Sequence, residues 1–146
     1  MATKIGLISD VHADIDGLRS ALRLFMTHQV NRVLCAGDLV EKGRHGDAVV
    51  ALMQRFDIPC VMGNHDEFAI GNNDWLRQHA DPNHPNMKGR ILSEETLDYL
   101  SKLPRKLHLT IGSYDMLLVH GTPRSNMEYL MSTAPPAKYE TIAVEA

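Results

Sequence analysis

The sequence is poor in aromatic residues, in clustered basic residues and in long hydrophobic runs. Aromatic residues make up 5% of the 146 residues, and the net charge is -3. The chain therefore lacks the basic and aromatic surface on which nucleic-acid-binding proteins depend. No apolar run reaches membrane-spanning length, and residues 1–4 show none of the features of a secretory signal. We expect a cytoplasmic protein that binds neither membranes nor nucleic acid.

Cysteine is also scarce, with Cys35 and Cys60 as the two thiols. Each lies inside an apolar run, which favours buried thiols in a reducing compartment over a disulfide or a redox pair. Hydrophobic residues make up 44% and charged residues 23% of the chain. This composition is typical of one globular domain, which we expect to cover residues 1–146. It leaves the oligomeric state open, a homo-oligomer included.

The first half of the chain alternates between short apolar runs and segments of helical periodicity. Short connections between such segments predict a βαβ arrangement, and therefore a parallel sheet that is buried on both faces. The predicted strands are 4–9, 32–36 and 58–62, and the predicted helices between them are 14–28 and 47–56. Asp14 and Asp16 are alternative caps for the first helix.

The second half has a less regular pattern. A Pro/Asn/Gly-rich loop is predicted at 81–89, and the turn residues 112–115 between two apolar runs predict a hairpin. Ser93 is a predicted N-cap, and Pro104 is expected to end the helix that follows it. The predicted helices are 67–79, 93–102 and 137–146, and the hairpin strands are 107–111 and 116–119.

Polar residues directly follow the three predicted parallel strands. Asp10-Val11-His12 follows the first strand, Gly37-Asp38 the second and Gly63-Asn64-His65-Asp66 the third, and His120 follows the second strand of the hairpin. The carboxyl ends of parallel strands meet at one edge of a sheet, and neighbouring strands are about 4.8 Å apart. We therefore expect these side chains to converge on loops at that edge.

Carboxylate, amide and imidazole groups together indicate a site for divalent metal ions. They suit Mn, Fe, Zn or Ni better than Ca, and Mg remains an alternative. Asp-x-His or Gly-Asp alone is common turn chemistry, and a lone His120 is most often a core or surface residue. Their combination at successive strand ends favours a metal site over four unrelated turns.

These motifs closely resemble those of the calcineurin-like metallophosphoesterase superfamily, in particular its small prokaryotic phosphodiesterases and phosphatases. The matching segments are 8–12, 36–40, 61–66 and 119–123. The resemblance implies an α/β fold in which a β-sandwich is flanked by helices. It also implies a hydrolase that uses two divalent ions, with Mn preferred, and a metal-bridged hydroxide to cleave phosphodiesters or small phosphomonoesters.

The resemblance further implies individual roles for the motif residues. Asp10 and His12 would bind one ion, Asp38 would bridge both ions, and Asn64 and His120 would bind the second. Beside them, His65 would contact phosphate and protonate the leaving oxygen, while Asp66 would orient His65.

One motif of the family is missing, because no Gly-His-x-His follows His120. The resemblance implies that the final strands of the sandwich are missing with it. A truncated chain, a fragment and a natural short form completed by a neighbouring chain are the alternatives, and we favour truncation or incomplete coverage.

Two other functions remain open. A site with fewer ligands is compatible with a catalytically impaired metal-binding or regulatory module. Segment 37–43 also resembles the Gly-Asp-x-x-Asp-Arg-Gly motif of protein and dinucleotide polyphosphate phosphatases. Glu41 and Lys42 replace the acid and the Arg of that motif. Because a lysine cannot grip phosphate with two parallel hydrogen bonds, we rank that substrate class second.

Overall fold

The computed structural model describes residues 3–87 and 89–144. These residues form four strands and five helices, joined mostly by short connections. The elements in chain order are β1 (Ile5–Ile8), α1 (Ile15–Thr27), β2 (Arg32–Cys35), α2 (Gly46–Arg55), α3 (Asn64–His79), α4 (Glu94–Ser101), β3 (Lys106–Ile111), β4 (Tyr114–Val119) and α5 (Pro136–Val144). The predicted mixed α/β architecture is confirmed. Residues 145 and 146 of the last predicted helix, and Lys88 of the predicted loop, lie outside the described residues.

Strands β1 and β2 pair in parallel, with Ile5 opposite Arg32 and Ile8 opposite Cys35. The predicted third strand at 58–62 is wrong as a full strand, because that segment makes only a single parallel bridge between Cys35 and Cys60. Pro59 has no N–H to donate and can only accept, at 2.9 Å, from the N–H of Cys35.

The same segment then leaves the sheet. The N–H of Val61 still donates to Cys35, but the N–H of Met62 donates to the carbonyl of Pro104, at 2.8 Å. Because this second partner lies outside the sheet, the parallel pairing ends after one bridge, and the chain turns into α3.

The predicted hairpin is confirmed, and it lies against the parallel strands. β3 and β4 pair antiparallel from Lys106–Val119 to Ile111–Tyr114. On β2, Leu34 packs with Ile111 and Leu118 of the hairpin, whereas Cys35 packs with the helices. Successive side chains of a strand point to opposite faces, so β2 is buried on both sides, as its continuous apolar run predicts.

The larger part of the core lies between the parallel strands and the helices. It is built from fully buried aliphatic side chains of α2, α4 and the loop after β2, which hold that loop firmly against the sheet. Its largest fully buried members are Leu39, Val40, Val49, Val50, Met53 and Leu100.

Two helix starts were predicted from their caps and one was not. The Asp14 carboxylate accepts from the N–H of Gly17, and the Ser93 hydroxyl accepts from the N–H of Thr96. Helix α3 begins at Asn64 rather than at the predicted residue 67. The Asp66 carboxylate accepts from the N–H of Gly63 at 3.0 Å, which stabilises the first turn three residues earlier.

No helix within residues 3–87 and 89–144 is both long enough and apolar enough to cross a membrane.

Candidate metal centre

Asp10 and His12 lie in the turn that follows β1, and this turn is bonded to the turn that follows β2. The N–H of Asp10 donates to Gly37 at 3.0 Å, and the N–H of His12 donates to Asp38 at 2.9 Å. The Ser9 hydroxyl donates to the Asp10 carboxylate at 2.6 Å. The two predicted loop motifs are therefore brought together by the backbone itself.

Asp38 lies between the other predicted ligands. Its side chain is 2% exposed, and its Oδ1 accepts from the N–H of His65 at 2.9 Å. Its Oδ2 is 3.8 Å from Nε2 of His12 and 3.6 Å from Nε2 of His120. Asp10 Oδ1 is also 3.6 Å from Nε2 of His12. A buried carboxylate with two imidazoles within 4 Å of the same oxygen matches the bridging position implied for Asp38.

His120 and Asn64 contact each other beside Asp38. Nδ1 of His120 lies 2.7 Å from the carbonyl oxygen of Ala36, so this nitrogen carries the proton and donates it. Nε2 then presents its lone pair to Oδ1 of Asn64, at 2.9 Å. Both atoms are acceptors, and the nearest oxygen of Asp38 is a third. Three acceptors that face one another are the arrangement a bound cation stabilises.

The donor set therefore fits divalent ions. Within the described residues, two groups of three side chains have ligand atoms within 4.8 Å of one another: His12, Asp38 and His65, and Asp10, Asp38 and His120. Ligands around one ion at 2.0–2.2 Å are roughly 3.0–3.5 Å apart, close to the separations found here. These groups differ from the predicted ones, because His65 stands in place of Asp10 beside His12 and Asp38, and Asp10 is grouped with Asp38 and His120.

From the sequence we expected all the ligand positions to lie on loops, but two of them lie in a helix. Asp10, His12, Asp38 and His120 follow strands, but Asn64 and His65 lie in the first turn of α3. The backbone N–H groups of such a turn have no partner within the helix, which is why that of His65 can hold Asp38.

Gly37 and Gly63 allow the two turns to approach closely. A Cβ on Gly63 would lie 2.1 Å from Oδ1 of Asp38, and a Cβ on Gly37 would lie 2.5 Å from the backbone nitrogen of Gly63. Gly37 also has φ +94, a conformation that side chains disfavour. Any larger residue at either position would displace Asp38.

Asp66 does not bond to His65, contrary to the role implied by the resemblance. Its side chain is fully buried, and its two oxygens accept from the backbone N–H groups of Asp38, Leu39, Val40 and Gly63, at 2.8–3.2 Å. Burial raises the pKa of the Asp66 carboxyl, and several of these N–H bonds oppose the rise. Asp66 therefore holds the loop that carries Asp38.

Glu41 takes the place that was assigned to Asp66. Its Oε2 is 2.7 Å from Nδ1 of His65, and both side chains are partly buried. The His65 ring also meets the His12 ring edge-on, with centroids 4.9 Å apart. In the sequence, Glu41 stands out only as the acid in the motif of segment 37–43, and that motif is the signal that points to it.

Lys42, the next residue of the same loop, contacts His12. Its Nζ lies 3.0 Å from Nε2 of His12, the atom expected to bind metal. An ammonium group at this position shows that Nε2 of His12 acts as an acceptor toward a cation. Lys42 therefore either competes for this position or moves away when it is filled.

Backbone strain is concentrated around these residues. Among the described residues, eight besides glycine have positive φ, and six of them lie in the two turns at the site. They are Asp10, His12, Ala13, Asp38, Glu41 and Lys42. Such conformations are sparsely populated and persist where the surrounding contacts enforce them, which is common at functional sites.

A calcineurin-like phosphoesterase superfamily domain matches residues 3–144. The chain belongs to this superfamily. A metallophosphoesterase from Sphaerobacter thermophilus is 31% identical, with a TM-score of 0.65 over 89% of this chain and 52% of that chain. Protein MJ0912 of Methanocaldococcus jannaschii is 25% identical over 122 residues, which are 82% of this chain and 50% of that protein.

A further likeness is one of fold alone. Hypothetical protein PH1004 from Pyrococcus horikoshii has a TM-score of 0.74 at 17% identity, over 97% of this chain and 64% of that chain.

This phosphoesterase-family chain spans about half the length of the Sphaerobacter and Methanocaldococcus relatives that it matches.

Proposed function

We propose that this chain carries a phosphoesterase centre that uses two divalent metal ions, with Mn²⁺ preferred, to hydrolyse phosphodiesters or small phosphomonoesters. The observation that carries the proposal is the convergence of His12, His120 and Asn64 on the buried carboxylate of Asp38. Family membership supports a hydrolase acting on phosphoesters.

The ligands divide around Asp38. Asp10 and His12 would hold one ion and Asn64 and His120 the other, with Asp38 shared between them. When bound, such ions polarise phosphoryl oxygens and lower the pKa of a water molecule so that it can attack phosphorus. A cleft of about 250 Å³ beside Asp10 and His120 offers a small ester access to this centre.

The proton chemistry falls to His65 and Glu41. With Nδ1 directed at the Glu41 carboxylate, the ring is fixed and Nε2 is left as the atom that can protonate a leaving oxygen. The N–H of His65 holds Oδ1 of Asp38 at the same time. His65 thus contacts the metal ligand Asp38 through its backbone and would protonate the leaving oxygen through its side chain.

The test is turnover of bis(p-nitrophenyl) phosphate together with the metal content of the purified protein. Bound Mn²⁺ and turnover that falls at least about 100-fold in Asp38→Asn would support the proposal. Asp16→Asn is the matched control, because Asp16 is exposed on α1 and its carboxylate pairs with Arg19 of the same helix. Undiminished turnover in Asp38→Asn would reject the assignment.

A metal-binding module without catalysis is the second candidate. It is favoured by the presence of only three ligand atoms in each group among the described residues, and by the ammonium of Lys42 beside His12. Bound metal without turnover of any ester would favour this candidate. A cytoplasmic location and a homo-oligomer stay predictions, although both cysteines are buried and free, as expected for a reducing compartment.

A further inference from the structure

One exposed face of α3 carries a row of ring side chains that begins at His65. Residues spaced by three and four positions lie above one another on a helix, so His65, Phe68, Trp75 and His79 share this face. Phe68 is 41% exposed and Trp75 is 61% exposed. The chain has only three Phe, one Trp and four Tyr. Phe68 and Trp75 therefore place a quarter of its aromatic residues on one exposed helix face.

Phe68 is the member of this row that adjoins the proposed catalytic centre. Its ring centroid is 6.0 Å from that of His65, at an interplanar angle of 88°. His12, His65 and Phe68 therefore form a line of three rings that leads from the metal ligands to the surface. Phe68 belongs to neither hydrophobic core cluster, so packing does not account for its position.

The carboxylate of Glu67, which precedes Phe68 in the chain, is bound by the guanidinium of Arg105 and by the side-chain amide of Asn126. The next residues of the row, Trp75 and His79, stack on each other with centroids 4.9 Å apart. Trp75 lies about 10 Å farther along the helix than Phe68, because each residue rises 1.5 Å.

We propose that Phe68 is a specificity-determining residue that stacks against a planar aromatic group of the ester, and that the centre therefore prefers nucleoside or aryl phosphoesters to alkyl ones. The inference rests on the proposed function, because it places the organic group beside the proton donor His65. Flat rings stack on aromatic side chains irrespective of their substituents. The net charge of -3 favours a single nucleotide-sized ester over a polyanionic nucleic acid.

The experiment compares three methyl phosphodiesters in the Mn²⁺-loaded protein. Their second alcohols are adenosine through its 5′-oxygen, methyl riboside through its 5-oxygen, and p-nitrophenol. The first two differ only in the base, so their ratio of kcat/KM isolates the contribution of stacking. We expect a preference for the adenosine ester of about five- to a hundredfold, the range that base stacking on an aromatic side chain supplies.

Variants assign this preference to one ring. Phe68→Ala should abolish it while leaving turnover of the riboside ester within about twofold, and Phe68→Tyr should restore it because stacking needs only a flat ring. Trp75→Ala and Phe56→Ala are the controls, since both rings are exposed and Phe56 lies at the end of α2 beside Phe25, outside the metal centre. Neither control should change the preference.

The outcomes show whether Phe68 recognises a nucleobase in particular or any planar ring of the substrate. If Phe68→Ala slows both the adenosine and the nitrophenyl ester, any planar ring is accepted; if it slows only the adenosine ester, the group is a nucleobase. Either result supports the inference. Equal rates for the adenosine and riboside esters, or a preference lost in Trp75→Ala and kept in Phe68→Ala, would overturn it.

Failure of the proposed function gives a different result. A protein that hydrolyses no ester at all would reject the phosphoesterase proposal without testing Phe68. Calorimetric binding of AMP and of ribose 5-phosphate then tests the stacking directly. Tighter binding of AMP that is lost in Phe68→Ala supports the inference, and equal binding overturns it.

Discussion

The Glu41 carboxylate lies 2.7 Å from Nδ1 of His65 and joins the loop after β2 to the first turn of α3. Because this contact fixes the ring, Glu41→Gln should lower kcat by roughly 10–100-fold with little change in KM. Steady-state kinetics measure both parameters. Glu95→Gln, at an exposed position of α4, is the matched control, and an unchanged kcat in Glu41→Gln would contradict the assignment.

Asp66 should govern the stability of the fold. Its carboxylate accepts four backbone N–H groups, and Asp66→Ala leaves these buried donors without partners. We expect a loss of at least about 3 kcal/mol in the free energy of unfolding, since each unsatisfied buried donor costs about 1–3 kcal/mol. Urea unfolding measures this loss. Asp98→Ala, which removes an exposed partner of Lys102, should shift the midpoint little. Equal midpoints for the two variants would contradict the role assigned to Asp66.

Gly63→Ala should weaken metal binding, whereas Gly71→Ala should stabilise the protein. A Cβ at position 63 would meet Oδ1 of Asp38 at 2.1 Å, whereas a Cβ at position 71 would meet nothing within 4 Å. Gly63→Ala should therefore displace Asp38 and weaken Mn²⁺ binding at least about tenfold, by analogy with the loss of groups that orient ligands. Gly71→Ala should stabilise the protein by about 0.5–1 kcal/mol, because alanine loses less backbone entropy in a helix. Mn²⁺ titration and thermal unfolding check the pair, and equal Mn²⁺ affinities would show that the approach at Gly63 is unimportant.

Metal should stabilise the folded chain through Asp38. A ligand that binds only the folded state at 100 times its Kd adds about 2.7 kcal/mol to the free energy of unfolding. Addition of Mn²⁺ should therefore raise Tm in the wild type and a chelator should reverse the rise, whereas Asp38→Asn should show neither effect. Scanning calorimetry with and without Mn²⁺ measures this. A similar rise in Asp38→Asn would place the bound metal elsewhere.

The local parts of the fold were predictable because their signals are local. The capping residues Asp14 and Ser93 predict the starts of two helices, and the turn at residues 112–113 predicts the hairpin. Residues 58–62 do not pair as a full strand, because Met62 forms a hydrogen bond with Pro104, 42 positions later in the chain. No local sequence pattern encodes that contact.

The candidate site was predictable as a set of residues but not as a set of contacts. Residue types and strand ends indicated which side chains converge. The partner of His65 lies in a loop where Glu41 and Lys42 both have positive φ, a conformation that residues other than glycine seldom adopt. The resemblance implied that Asp66 orients His65, whereas the first turn of a helix directs neighbouring side chains to different sides.

The contact between His120 and Ala36 joins residues 84 positions apart, and that between His120 and Asn64 joins residues 56 positions apart. Contacts across such long loops form late, because the entropy of closing the loop must be lost before they can stabilise the chain. The last ligand should thus be delivered only when the β3–β4 hairpin docks onto β2. Metal affinity should then report completion of the tertiary structure, so that an intermediate with its helices formed and its hairpin undocked would bind Mn²⁺ only weakly.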